Sequence, residues 1–171
     1  EAWYFLPMVI ASSIFPAIIN ARAYQKEVYY QRLHNLYDLM VWIAVTIAIP
    51  TTLLSTLIIE LLYGVVYLGS SSVLIIHIWS GVFVFLGVAS SKYLLAENYI
   101  KKTFYRTALG ALLNIILNYY LIRLMGINGA AISTLVSHFF AAYFYDILDK
   151  DLRRMFILKT KSLFFYSLYA K

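Results

Sequence analysis

The chain has 171 residues, 63% of them hydrophobic and only 13% charged, with a formal charge of +6 and a mean hydropathy of +0.77. A water-soluble domain carries about 25% charged residues, so this chain cannot cover a globular surface facing water, and lipid is the solvent for much of it. Cysteine is absent, which excludes disulfides, cysteine nucleophiles and thiolate metal sites.

The first residue is Glu1, and no basic segment precedes a short apolar stretch, so no signal peptide is expected and the chain reads as a fragment of a longer membrane protein. Five spanning helices are predicted, over residues 2–20, 39–60, 72–95, 107–124 and 129–147. The first holds Pro7 and Pro16, which predict a kink or an unwound turn. Residues 21–38 form an amphipathic linker. Tyr24, Val28, Leu33, Leu36 and Met40 share one face, and Gln25, Lys26, Gln31, Arg32 and Asn35 share the other. That pattern suits an interfacial helix on the cytoplasmic leaflet, or an extension of the first span into water.

The second span has Pro50 near its middle. Residues 61–91 are uncharged and too long for one helix, and the Gly and Ser of 63–72 place the next helix start near Ser72. Gly126-Ile127-Asn128-Gly129 predicts a tight turn before the last span. Residues 162–170 are apolar but short, and read as an interfacial segment or the start of a sixth helix. A spanning barrel would instead show alternating segments of about 10 residues.

If five helices alternate, 13 of the 14 basic residues fall on one side, and only Arg123 lies on the other. Cytoplasmic loops are enriched in Lys and Arg, so the N-terminus is expected outside and the C-terminus in the cytoplasm. The basic cluster of Lys92, Lys101, Lys102 and Arg106 sets topology or contacts anionic lipid or diphosphate head groups at the cytoplasmic face.

Polar residues within spans are the candidates for a substrate path. Asn114 and Asn118 lie one turn apart, with Thr107 and Gly110 on the same face, and serve either helix-to-helix bonding or substrate contact. His77 shares the least lipophilic stripe of the third helix with Ser80, Gly81, Val84, Gly87 and Ser91. It either lines an outward cavity or anchors at the interface with Trp79. His138 is a core histidine or a proton relay. Arg22, Lys92 and Arg123 sit at span edges, and Arg123 either snorkels to the surface or meets an anionic substrate. Gly129, Ser133, Ser137 and Ala141 repeat at four-residue steps, the spacing at which small residues let helix backbones approach closely.

No catalytic constellation, metal spacing or phosphate loop is present in the sequence, so no enzyme, cofactor, metal or nucleic-acid role is expected. All eight acidic residues are expected at helix ends or in loops. Glu60 reads as interfacial.

The runs 76–91 (IHIWSGVFVFLGVASS), 110–122 (GALLNIILNYYLI) and 126–137 (GINGAAISTLVS), with 15–19 (FPAII) and 58–64 (IIELLYG), resemble bacterial O-antigen and capsule oligosaccharide flippases. These belong to the multidrug/oligosaccharidyl-lipid/polysaccharide exporter superfamily. The resemblance is to their carboxyl-terminal half and covers nearly the whole chain. It implies an all-α polytopic bundle that is part of a larger transporter of two six-helix halves with alternating access. It also implies transfer of undecaprenyl-diphosphate-linked oligosaccharide across the bacterial inner membrane. The partners implied are the bilayer, the lipid-linked sugar, the amino-terminal half, and a polysaccharide polymerase with its chain-length regulator. Cationic residues in a central cavity attract the diphosphate in such proteins, whereas deep cations are few in this sequence, leaving Arg22, Lys92 and Arg123 at the edges. Competing readings are a drug/cation antiporter, which would need an acidic residue inside a helix, a polymerase-type membrane enzyme, which would need a large outer loop, and an inactive remnant.

Overall fold

Helices form wherever the chain carries long apolar runs, because a backbone in lipid must satisfy its own hydrogen bonds. A computed structural model describes residues 4–164 and is helical almost throughout. The elements are α1 (Phe5–Tyr24), α2 (Lys26–Leu53), α3 (Ser55–Tyr63), a 3-10 turn (Val65–Ser70), α4 (Ser71–Ala96) and α5 (Ile100–Met125). There follow α6 (Ile127–Phe139), a π-helical turn (Phe140–Phe144), α7 (Tyr145–Leu148) and α8 (Arg153–Leu163). Five stretches are long and apolar enough to cross a membrane: Phe5–Arg22, Lys26–Leu53, Val65–Ala96, Ile100–Met125 and Ile127–Leu148. The chain is an all-α bundle with the character of a multi-pass membrane protein.

α4 is the central helix and packs against α1, α2 and α6, while α5 leans mainly on α6. One apolar core joins α1, α2, α4 and α8 through Ile18, Leu33, Met40, Phe85, Leu86, Leu94 and Met155. Many other large apolar side chains remain exposed, among them Leu61, Val66 and Leu124, as expected where lipid covers the outside.

Several elements differ from the sequence expectations. α1 runs without a break through Pro16, and Pro7 sits in its first turn, where a missing N–H is tolerated. Residues 21–38 are not a linker. α1 continues to Tyr24, the break is the single extended residue Gln25 (φ −149°, ψ 119°), and the rest begins α2. Its faces keep the expected polarity, with Leu33, Leu36 and Met40 buried and Gln31, Arg32 and Asn35 exposed, but the apolar face packs on protein. The second span stops at Leu53, and α3 starts after Leu54. α5 begins two turns before residue 107 because its lysines and Arg106 are compatible with helix. The turn before α6 shrinks to Gly126, whose φ of +59° favours glycine. α8 was not foreseen. Residues 165–170 of the apolar tail lie outside the described residues.

The α5–α6 crossing depends on missing side chains. A Cβ on Gly129 would lie 2.0 Å from the Leu121 carbonyl oxygen, and one on Gly110 would lie 2.8 Å from Ala141 Cβ. Ser133 and Ser137 are buried on the same stripe and turn their hydroxyls onto the carbonyls of Gly129 and Ser133.

The two ends of the bundle differ. At one end Arg22 donates to Ala96 O at 2.7 Å and Glu97 Oε2 at 2.8 Å, and Lys102 reaches Asp149 Oδ1 and Asp151 Oδ2. Arg22, Lys92, Lys101 and Lys102 lie near the ends of α1, α4 and α5 that meet there. At the other end Ser72 donates to Asn128 Oδ1 at 2.8 Å, and Trp79 Nε1 donates to Thr52 Oγ1 at 3.1 Å.

Candidate functional site

Glycine and alanine on three helices leave space between them. Gly87 on α4, Gly110 and Ala111 on α5, and Ala141 and Ala142 in the π-helical turn border a cavity of about 460 Å³. That falls in the range of about 300–1,000 Å³ typical of ligand sites. Ser91, Arg106, Thr107, Asn114, Ser137 and His138 supply its polar lining.

Arg106 is the charged group of this cavity and is only 5% exposed. Its Nη2 donates to Gly87 O at 3.2 Å and Ser91 Oγ at 2.9 Å, while Nη1 is buried and has no hydrogen-bond partner among the described residues. A guanidinium held this deep with free donor capacity attracts an anion or an array of oxygen acceptors. Of the expected basic cluster Lys92, Lys101, Lys102 and Arg106, only Arg106 is buried, and it lines the cavity. Residues 106, 110 and 114 follow at four-residue steps, which puts Arg106 on the Asn114 face.

Behind the cavity wall lies a second pair that sequence reasoning passed over. Lys159 on α8 and Asp146 on α7 are both fully buried and bonded at 2.6 Å. Lys159 Nζ also donates to Ala142 O at 2.6 Å and lies 5.8 Å from the Tyr37 ring. Asp146 Oδ1 has no hydrogen-bond partner among the described residues. Burial holds the Lys159 amine down to about 8, against the opposing pull of the Asp146 carboxylate. Asp146 lies in the final turn of the last span, at an end as expected, whereas Asp38 lies well inside the span Lys26–Leu53, so the acidic residues are not all at ends or in loops. A side chain that captures a backbone carbonyl disturbs the helical ladder, and the π-helical turn contains the captured Ala142. The signal for Lys159 was its place among Leu152, Met155 and Ser162 on an otherwise buried face.

The expected candidates are divided by the fold. Asn114 and His138 line the cavity. Asn118 donates to Asn114 Oδ1 at 2.9 Å and thereby orients it. His77 lines a separate small pocket beside Tyr4, Ala44 and Phe85. Arg22 is engaged at the charged end, and Lys92 is half-buried near the end of α4. Arg123 is exposed and stacks over the Tyr119 ring at 4.0 Å, away from the cavity. Gly129, Ser133, Ser137 and Ala141 lie on the side of the last span that meets α5, and Ser137 and Ala141 also border the cavity. Among the described residues no three His, Asp or Glu side chains gather to hold a metal.

Comparison of the chain with family models, with curated proteins and with solved structures found no match.

Proposed function

We propose that the chain forms part of a flippase that moves undecaprenyl-diphosphate-linked oligosaccharide across a bacterial inner membrane, in O-antigen or capsule biosynthesis. The observation that carries this reading is Arg106, a buried guanidinium with an unused Nη1, which borders a cavity whose largely apolar wall also carries Ser91, Thr107, Asn114, Thr134, Ser137 and His138. A diphosphate offers the charge and oxygens that such a group binds, and sugar hydroxyls match Thr107, Asn114 and His138. The motif resemblance over most of the chain points the same way. In this reading the amino-terminal half of the transporter supplies the facing wall, and the polymerase and chain-length regulator act downstream. The basic end of the bundle faces the cytoplasm, and residue 4 lies near the periplasmic side.

Binding of inorganic pyrophosphate and of undecaprenyl diphosphate to the purified chain tests the site. Arg106→Gln should weaken both by about tenfold or more, the worth of a charged hydrogen bond. Arg22→Gln should leave both unchanged, because Arg22 is committed to Glu97. Equal affinities in wild type and Arg106→Gln overturn the reading. Orientation is tested with single cysteines, which the cysteine-free sequence keeps clean. Ser70→Cys should label from the periplasm, and Lys101→Cys only after the membrane is opened.

A drug/cation antiporter is the second reading, and buried Asp146 favours it. Its carboxylate is already held by Lys159, so this reading requires Asp146→Asn to abolish cation efflux while pyrophosphate binding persists.

A further inference from the structure

α8 has two faces of different character. Leu152, just ahead of it, and Met155, Lys159 and Ser162 are buried against the bundle. Arg153, Arg154, Ile157, Lys161 and Phe164 are exposed, and at 100° per residue the five fall within a single arc of the helix circumference. Three cations therefore flank two apolar side chains that are 52% (Ile157) and 74% (Phe164) exposed. Ile157 and Phe164 also border an apolar groove of about 360 Å³ with Phe156, Thr160 and Lys161.

Neither plain water nor the hydrocarbon core suits this face. Water would leave Ile157 and Phe164 uncovered, and hydrocarbon is a poor medium for the charges of Arg153 and Arg154 beside them. The boundary between head groups and acyl chains satisfies both halves. The position of α8 agrees. Its Arg154 guanidinium stacks 3.4 Å over the ring of Tyr30 near the start of α2, and its Thr160 hydroxyl lies 2.8 Å from Tyr143 Oη. Both contacts lie near the end of the bundle where Arg22 and Lys102 gather.

We propose that α8 is an interfacial helix whose outer face docks on the anionic phospholipid head groups of that leaflet. The shared chemistry is a phosphate oxygen facing Arg153 and Arg154, and its source is lipid, since a free anion gives Ile157 and Phe164 nothing to bury against. The inference rests on the five spans and not on the transported substrate.

The test uses the whole chain with Ile157→Cys carrying an environment-sensitive fluorophore, in nanodiscs of phosphatidylcholine alone or with about 30% phosphatidylglycerol. Phosphatidylglycerol should shift the emission to the blue and allow quenching by lipids labelled near the head group. Each cation near the surface is worth about fivefold in partitioning, so Arg153→Gln, Arg154→Gln and Lys161→Gln together should remove the dependence on anionic lipid. Raising salt to about 0.5 M should weaken the shift in the protein with all three cations present, a readout that stands even if the triple variant fails to fold. An emission that ignores lipid charge and salt overturns the proposal. So does a shift that soluble glycerol phosphate reproduces in phosphatidylcholine discs, which would assign the cations to a free anion.

Discussion

Lys159 Nζ lies 2.6 Å from Asp146 Oδ2 with both side chains wholly buried, and the same amine holds the Ala142 carbonyl of the π-helical turn. α8 is thereby tied to the helix segment that borders the cavity. Breaking one partner of a buried pair leaves an uncompensated charge and costs about 3–5 kcal/mol. Lys159→Met and Asp146→Asn should each destabilise the chain by about this much, measured by denaturant unfolding in detergent. The double variant Asp146→Leu/Lys159→Met should cost less than the two single changes summed. Additive losses would show that the pair does not act as a unit.

The same amine gives a pH signature. Its folded value is about 8 against 10.5 for a free lysine, so between these values the unfolded state binds more protons. Stability contributed by this group must therefore rise with pH through that window and level off on either side. The melting temperature of wild type should climb between about pH 8 and pH 10 relative to Lys159→Met. Parallel curves would sink the assignment.

Arg106 predicts a division between stability and binding. Its burial costs solvation, and two neutral acceptors return only part of that. Arg106→Met should leave the melting temperature equal or higher while pyrophosphate binding falls about tenfold. A variant that both binds and melts as wild type does would remove Arg106 from the site.

Glycine substitutions separate crossing points from open positions. Gly129→Ala drives a Cβ to 2.0 Å from Leu121 O, a backbone atom that cannot swing aside, whereas a Cβ on Gly81 meets nothing within 4 Å. Overpacking costs about 1–3 kcal/mol, and Gly129→Ala should reach at least the top of that range. Gly81→Ala should be neutral or stabilising by a few tenths. The comparison is read from thermal melts of the two variants side by side.

The spans were legible in the sequence because lipid imposes one crude rule, a long apolar run without charge, and residues 72–95 obey it so well that α4 begins one residue away, at Ser71. The same rule misled where charge and helix coincide. Reading spans as uncharged runs cut α5 short at residue 107, placing Arg106 in a loop when it is a buried helical residue. Asn114 and His138 were found as polar residues in apolar surroundings, and both line the cavity. Lys159 and Asp146 are 13 residues apart and meet because the chain folds back after α7. No local pattern encodes that return, and α8 is too polar for a hydropathy reading to separate from a tail.

The cavity is made by subtraction. Gly87, Gly110, Ala111, Ala141 and Ala142 border it with little or no side chain, and at Gly87 and Gly110 the walls already touch, since a Cβ at Gly87 would approach Ala142 Cβ to 3.2 Å and one at Gly110 would come closer still to Ala141. A saturation scan along these walls should therefore read as a ruler, with tolerance falling as carbon atoms are added whatever their polarity. At Gly87 and Gly110 the same added carbon would also push the helices apart.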